Sequence, residues 1–184
     1  EFITETIDVE QTRNLIRVVS FNFSNNNSNG WNRWGNGASS NMNNGRYNVT
    51  TTSSSNDKDA AQIAYDPTGG FIKERTYVIT FDISSTANGR VYPYMQYAQN
   101  NTYTPQGDFI NTTTQNNYIQ VTNQSQTVTM VGVCEGDCNR LIFAIGNIQG
   151  TISIDNDELF VVYQPKVNIK DKKLVVFISF FLAD

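Results

Sequence analysis

Hydrophobic and polar residues alternate in short runs along this chain, and segments rich in Asn, Ser, Thr and Gly separate the runs. In the run 76–83, the large apolar residues Tyr77, Ile79, Phe81 and Ile83 occupy every second position. A period of two is typical of a β-strand with one face in the core. No run keeps a period of 3.6 residues, so the pattern predicts very little helix.

Nine runs of this kind predict nine β-strands, each bounded by turn-forming residues. They cover residues 14–23, 46–52, 60–65, 76–83, 90–97, 118–121, 126–133, 140–145 and 151–163. Short strands without helices predict an all-β fold, a two-sheet antiparallel β-sandwich. The polar segments 24–32, 39–44 and 50–57 are expected to be loops at its rim.

The strand predicted over 90–97 has two unlike faces. Alternation places Arg90, Tyr92, Tyr94 and Gln96 on one face, and the opposite face is mainly apolar. Aromatic rings beside hydrogen-bonding groups suit a sugar, because its C–H groups pack on rings while its hydroxyls donate and accept hydrogen bonds. An ordinary solvated sheet face with two surface tyrosines is the alternative interpretation.

Length and charge narrow the class of protein further. The 184 residues are enough for one domain, and 12% of them are aromatic against 16% charged. The net charge is −4, and Lys and Arg form no basic stripe. This balance argues against a nucleic acid or an anionic membrane as partner.

The two ends of the chain differ in character from the middle. Residues 1–13 are expected to be a linker or cloning-derived sequence, and residues 14–164 the folded domain. The tail 165–184 is expected to be a linker, vector-derived sequence or the start of a following domain. Its apolar run 174–182 is too short for a membrane-spanning helix, which needs about 20 residues.

Cys134 and Cys138 are the two cysteines, in the segment CEGDC. Their spacing permits a disulfide across a tight loop if Gly136 supplies an unusual backbone conformation. Metal binding is the alternative, but two thiols in a chain without histidine make an incomplete zinc site. The sequence therefore favours a loop disulfide in a secreted protein.

Three segments resemble carbohydrate-binding modules of families four, nine and twenty-two. The segment NLIRVVSFNF from Asn14 followed by Gly30-Trp31 resembles their opening motif. YVITFDISS from Tyr77 resembles their central strand, and GTISIDNDEL from Gly150 resembles their closing strand. The order and spacing of the motifs agree with that resemblance over residues 14–163.

This resemblance implies a jelly-roll β-sandwich that is not an enzyme. Such a module binds plant cell-wall polysaccharide, xylan or β-glucan, in a cleft on its concave sheet and targets an appended glycoside hydrolase. The protein is expected to be secreted and bacterial and to act as a monomer. Asp155 matches an aspartate that these modules use as a ligand of structural calcium, an ion that prefers hard oxygen donors. Alternatively, Asp155 caps a turn or solvates the end of its strand.

Geometry and resemblance together select the carbohydrate-binding candidates. Trp34 is expected to stack on sugar from the loop 30–37, whereas Trp31 is expected to pack in the core. Gln62 resembles a glutamine on the binding strand of these modules, and Asn147 is a further candidate that could equally be a turn residue. The full set is Trp34, Gln62, Arg90, Tyr92, Tyr94, Gln96 and Asn147.

Two other classes of protein remain as alternatives. A jelly-roll lyase could use Tyr92 and Arg90, and a hydrolase would need two carboxylates about 5 to 9.5 Å apart. No such carboxylate pair is evident in the sequence, and the chain has no histidine to serve as general base. A structural or adhesive sandwich would have the same fold without an exposed row of aromatic residues.

Overall fold

The computed structural model describes residues 15–21, 23, 27, 28 and 30–162, and the predicted terminal segments 1–13 and 165–184 lie outside them. The described chain forms twelve strands and a short 3-10 turn, Lys58–Ala60. The strands are β1 (Leu15–Phe21), β2 (Asn32–Gly35), β3 (Ser39–Asn43), β4 (Arg46–Thr51), β5 (Ala61–Tyr65), β6 (Thr76–Ser85), β7 (Gly89–Gln99), β8 (Thr102–Asn111), β9 (Ile119–Val121), β10 (Gln126–Val133), β11 (Arg140–Ala144) and β12 (Gly150–Val162). In this part of the chain no helix is long and apolar enough to cross a membrane.

The strands pair antiparallel in two sheets that share one strand. The front sheet has the order β2-β5-β11-β7-β8, and the back sheet has the order β8-β10-β6-β12-β4-β3. Strand β1 lies beside the second half of β12, and β9 pairs with the first residues of β7. The predicted all-β fold, a two-sheet antiparallel β-sandwich, is confirmed.

Strand β8 passes from the front sheet to the back sheet. Its residues Thr102 to Asp108 pair with β7, and Phe109 to Asn111 pair with β10. Gly107 stands at the change with φ 152°, and a Cβ atom there would collide with the carbonyl oxygen of Val133. Glycine therefore permits the bend that connects the two sheets.

The core lies between the sheets and is built from their inward positions. Along β6 every second residue from Tyr77 to Ser85 is buried. Trp31 is buried as predicted, with ring centroids of Tyr65 at 5.5 Å and Phe143 at 5.6 Å. Burying one large apolar side chain stabilises a fold by roughly 1.5–3 kcal/mol. This aromatic cluster therefore anchors one end of the sandwich.

All nine predicted strands are present, but β2, β3 and β8 are missing from the sequence prediction. The segment 39–44 was expected to be a loop, and this is wrong because Ser39–Asn43 pairs with β4 as β3. Strand β3 lies at a sheet edge with most of its residues exposed, so its sequence carries no apolar alternation. Trp34 likewise lies on the short edge strand β2 and not in a loop.

Cys134 and Cys138 are buried together in the loop after β10. Their Sγ atoms lie 2.9 Å apart as free thiols, so the predicted disulfide is not formed in this structure. Burial raises the pKa of the Cys138 thiol, and the hydrogen bond with Cys134 raises it further. The thiols are adjacent, as the predicted pairing requires, and the disulfide itself stays a prediction.

Candidate functional site

The outward face of the front sheet holds most of the predicted binding residues. Strand register places Trp34 opposite Gln62, Gln62 opposite Ala144, and Ala144 opposite Tyr92. These four residues form the first row, which crosses β2, β5, β11 and β7. Neighbouring strands lie about 4.8 Å apart, so the backbones at the two ends of the row are separated by roughly 14 Å. The first row therefore has an aromatic residue at each end and smaller residues between.

The second row runs parallel to the first and lies two residues away from it along each strand. It consists of Asn32, Ala64, Ile142, Tyr94 and Asp108. Ala64, Ile142 and Tyr94 point outward, yet each is at most 1% exposed. Tyr92 packs against this small cluster from the first row. The floor of the face is therefore apolar and largely shielded from water by longer side chains.

A hydrogen-bond network joins Tyr94 to the 3-10 turn. The Tyr94 hydroxyl donates to Oδ1 of Asp59 at 2.8 Å, and Gln62 Nε2 donates to the same hydroxyl at 3.1 Å. Lys58 Nζ lies 2.8 Å from Oδ2 of Asp59 and 4.6 Å from the centroid of the Tyr94 ring. Lys58 thus covers the Tyr94 ring, so in this conformation the ring is buried and is not an open stacking surface.

Electrostatics hold this network in one protonation state. Burial pushes the pKa of Asp59 upward, but hydrogen bonds from Lys58, Tyr94 and Gln62, with the charge of Lys58, lower it overall. Burial raises the pKa of Tyr94, and its hydrogen bond to the Asp59 carboxylate raises it further. Asp59 is therefore ionised and Tyr94 neutral at ordinary pH, which keeps the phenol as the donor.

Gln96, two residues after Tyr94 on β7, extends the hydrogen-bond network. Its Nε2 lies 3.4 Å from the Tyr94 hydroxyl, and the side chain is only 3% exposed. Among the described residues, its Oε1 has no hydrogen-bond partner. A buried acceptor without a donor is unfavourable, so this oxygen could accept a hydrogen bond from a ligand if the covering side chains move.

Trp34 marks one end of the face and is supported by a charged pair. Its side chain is 44% exposed, and the Arg140 guanidinium carbon lies 4.8 Å from its ring centroid. Arg140 donates to Asp66 through Nε at 2.6 Å and through Nη2 at 2.8 Å. The hydrogen bonds to Asp66 raise the pKa of Arg140. One surface of the indole ring is therefore occupied within the protein, and part of it remains open.

Tyr92 marks the other end and lies beside a second tyrosine. Its ring centroid is 5.7 Å from that of Tyr118, and the Arg90 guanidinium carbon lies 4.5 Å from the Tyr118 ring. Lys58 Nζ approaches the Tyr92 ring at 5.9 Å. This end thus combines two half-buried rings with two cations, a composition that can pack on a sugar and hydrogen-bond its hydroxyls.

Of the predicted binding residues, Asn147 is the one that does not lie on a strand of the front sheet. Trp34, Gln62, Tyr92, Tyr94 and Gln96 share the outward face, and Arg90 precedes Tyr92 on the same side of β7. Asn147 instead occupies a turn between β11 and β12, closed by the hydrogen bond from Ile148 N–H to the Ile145 carbonyl. Its position agrees with the alternative interpretation as a turn residue, and ligand binding by Asn147 stays a prediction.

Several residues of this face are absent from the sequence prediction. They are Lys58, Asp59, Asp66, Arg140, Tyr118 and the exposed Tyr103. Asp59 belongs to a 3-10 turn and Asp66 follows a strand end, positions where acidic residues usually have local roles. Arg140 could have been found, because alternation along β11 places it on the same side as Ile142 and Ala144.

Asp155, the predicted calcium ligand, lies on the outward side of the back sheet. It pairs with Asp82 across β12 and β6, and its Oδ1 accepts a hydrogen bond from the Asn156 N–H at 2.8 Å. Thr127 and Asn156 donate to the two oxygens of Asp82. Within the described ranges no group of three or more acidic, His or Cys residues gathers. Calcium at Asp155 stays a prediction.

The fold and a family profile together identify this chain as a carbohydrate-binding β-sandwich. Residues 17–145 match the sequence profile of the family described as carbohydrate binding domain, which unites module families 4 and 9. The chain belongs to this family. It is therefore a non-catalytic domain that binds polysaccharide or oligosaccharide, and its resemblance to carbohydrate-binding modules is confirmed. A comparison with curated protein sequences finds no match.

Solved structures with the same fold include three carbohydrate-binding domains. The CBM22-1 xylan-binding domain of Paenibacillus barcinonensis Xyn10C is 13% identical, with a TM-score of 0.61 over 82% of this chain and 97% of that domain. The second N-terminal cellulose-binding domain of Cellulomonas fimi β-1,4-glucanase C is 13% identical, with a TM-score of 0.57 over 82% and 97%. A CBM4 structure is 16% identical, with a TM-score of 0.58 over 79% and 94%. These similarities support the jelly-roll fold.

Proposed function

We propose that the outward face of the front sheet binds single plant cell-wall polysaccharide chains, xylan or β-glucan, in a cleft across the strands. The observation that carries this proposal is the first row, with Trp34 at one end and Tyr92 at the other. Rings at both ends and small residues between them suit a chain that lies across the sheet. A flat row of coplanar rings would instead suit a crystalline surface.

The chemistry of the face supports a neutral, hydroxyl-rich ligand. Its cations are paired or packed on rings, as Lys58 is with Asp59 and Arg140 with Asp66. Trp34 and Tyr92 provide apolar surfaces for sugar C–H groups, and Gln62 provides an amide for hydroxyls. Each hydroxyl moved from water to protein gains little net free energy, so we expect dissociation constants in the micromolar to millimolar range, roughly −4 to −8 kcal/mol.

The biological setting that we propose is an accessory domain of a secreted bacterial glycoside hydrolase. The domain would act as a monomer and hold its appended catalytic domain near the insoluble substrate. Tethering raises the effective concentration of that catalytic domain at the polysaccharide without adding a catalytic group. The xylan-binding and cellulose-binding names of two structures with the same fold motivate this setting.

Affinity electrophoresis against xylan, mixed-linkage β-glucan, mannan and alginate tests the proposal. We expect the wild-type domain to be retarded in xylan or β-glucan gels. The Tyr92→Ala variant should be retarded less, because it lacks the aromatic ring at one end of the first row. Ile110→Ala is the matched control, since Ile110 is an exposed apolar residue on the outward face of the back sheet.

Two results would contradict the proposal. One is unchanged mobility of the wild-type domain in both xylan and β-glucan gels. The other is a Tyr92→Ala variant that is retarded as strongly as Ile110→Ala. The Ile110→Ala variant should be retarded as strongly as wild type. This result would show that truncating an exposed apolar side chain does not by itself weaken polysaccharide binding.

A further inference from the structure

Trp34 has an unusual position for a residue that must present a ring in a fixed orientation. It lies on β2, a strand of four residues that pairs with β5 at the edge of the front sheet. Its side chain is 44% exposed, whereas Trp31 is 3% exposed among core rings. Core packing therefore fixes the Trp31 ring but does not fix the Trp34 ring, which needs another support.

Arg140 supplies that support from β11. Its guanidinium carbon lies 4.8 Å from the Trp34 ring centroid, and its side chain is 17% exposed. Two parallel hydrogen bonds to Asp66, at 2.6 and 2.8 Å, fix the plane of the guanidinium. A planar guanidinium with two hydrogen bonds to one carboxylate has a fixed orientation, so a planar indole ring can pack against it. An ammonium group has no planar surface of this kind.

We propose that Arg140, clamped by Asp66, is a positioning residue that fixes the Trp34 ring for carbohydrate and so sets affinity at this end of the cleft. This inference rests on the proposed function. Arg140 occupies one surface of the indole and leaves the other for sugar. Asp66 acts through Arg140 and need not contact the ligand.

The substitution Arg140→Lys separates geometry from charge. Lysine keeps the positive charge but has neither the planar fork for Asp66 nor the flat surface for the indole. A cation–aromatic contact at an exposed site has a strength that corresponds to about a two- to fivefold change in affinity. We expect the affinity for xylohexaose or cellohexaose to fall by about that factor in Arg140→Lys, with little change in melting temperature.

A spectroscopic readout distinguishes positioning from a general structural role. Labelling with 5-fluorotryptophan gives one ¹⁹F resonance each for Trp31 and Trp34, and a Trp34→Phe variant assigns them. In Arg140→Lys we expect the Trp34 resonance to move or broaden and acrylamide to quench Trp34 fluorescence more strongly. The Trp31 resonance should not change, because that ring is held by the core.

Two further variants complete the design. Asp66→Asn should reproduce the effects of Arg140→Lys, and the double variant should lose little more affinity than either single variant, since both act through one clamp. Arg46→Lys is the matched control, because the Arg46 guanidinium donates to the hydroxyls of Ser84 and Ser125, away from the front face. We expect its affinity and both ¹⁹F resonances to equal those of wild type.

The outcomes separate this inference from the proposed function. If Trp34→Ala binds both oligosaccharides as tightly as wild type, the proposed function fails at this end of the face. If Trp34→Ala weakens binding but Arg140→Lys and Asp66→Asn leave affinity and the Trp34 resonance unchanged, the positioning role is overturned and the proposed function stands. If the loss of affinity in the double variant equals the product of the losses in Asp66→Asn and Arg140→Lys, the two residues act independently, which would also contradict the positioning role.

Discussion

The outward faces of the two sheets have the same backbone pattern but differ in what their side chains do. On the back sheet, short polar residues bond to one another across strands, as Thr50 does with Thr151 at 2.8 Å and Thr80 with Thr129 at 3.1 Å. On the front sheet, rings, amides and ion pairs gather around an apolar floor. Alternation alone predicts a polar outward face in both sheets, so polarity does not distinguish them.

Burial along the strands shows the difference more clearly. In β6 of the back sheet, buried residues strictly alternate with half-buried ones. In β11 of the front sheet, four consecutive residues after Arg140 are buried. Ile142 and Ala144 point outward there, yet they are buried in a cluster with Tyr94, against which Tyr92 packs. Strand β11 is thus buried on both sides, whereas β6 is fully buried only on the side that faces the core.

The largest effect is expected from removing both rings of the first row. Trp34→Ala combined with Tyr92→Ala should lower oligosaccharide affinity by about five- to 150-fold. Each aromatic contact is worth about 0.5–1.5 kcal/mol beyond area burial, and residues this far apart contribute independently. Isothermal titration calorimetry measures the change. The double variant Ile110→Ala/Val133→Ala on the back sheet is the control. An equal loss of oligosaccharide affinity in this control would contradict the proposed difference between the two faces.

The next effect concerns stability and the buried network. Tyr94→Phe removes the hydroxyl that donates to Asp59 and that Gln62 and Gln96 contact. Leaving buried polar groups unpaired costs about 1–3 kcal/mol, so the free energy of unfolding in urea should fall by that amount. Thr129→Val removes one hydroxyl from the back face and should cost at most about 1 kcal/mol. An equal decrease in the free energy of unfolding in the two variants would show that the hydrogen-bond network of the front sheet stabilises the fold no more than the hydroxyl pair of the back sheet.

How much of this could be read from the sequence depends on the element. The inward alternation of β6 and β11 was visible, because core positions need apolar side chains whatever their partners. The outward set on β7 was also visible, since four polar or aromatic residues share one phase. Edge strands β2 and β3 were not, because a strand with little core contact needs no apolar period.

The network around Tyr94 could not be predicted from the sequence. Asp59 lies 35 residues before Tyr94, and only the folded sheets bring them together. The same holds for Asp66 and Arg140, which are 74 residues apart. The outward phase of Tyr94 suggested an open ring, whereas Lys58 covers it. Sequence patterns give the direction of a side chain but not what lies above it.

A smaller effect is expected from the pH dependence of Asp59. Its pKa is lowered in the folded state, so ionised Asp59 stabilises the fold above the ordinary aspartate pKa of about 3.9. That contribution is lost as pH falls through the folded-state pKa. The melting temperature of wild type should therefore exceed that of Asp59→Asn at neutral pH, and the gap should narrow below about pH 4. A gap that stays constant down to pH 3 would contradict the lowered pKa.

The smallest effect is expected from removing calcium. If Asp155 is a calcium ligand, EDTA should lower the melting temperature slightly, and added calcium should restore it, because an ion bound only to the folded state stabilises it. Asp155→Asn should abolish that response without changing oligosaccharide affinity, since Asp155 lies on the back sheet. A response to EDTA in Asp155→Asn as large as in wild type would contradict the assignment of Asp155.

The contrast between the faces is tested most directly by a titration of the ¹⁵N-labelled domain with xylohexaose and with cellohexaose, followed by ¹H–¹⁵N correlation spectra. With at least one of the two sugars, the account predicts shifts for backbone amides of β2, β5, β11 and β7 and for the Trp34 indole N–H. Amides of β4, β6, β10 and β12 should remain in place. Shifts concentrated on the back sheet, or none with either oligosaccharide at millimolar concentration, would contradict the claim that the front face is the carbohydrate-binding surface.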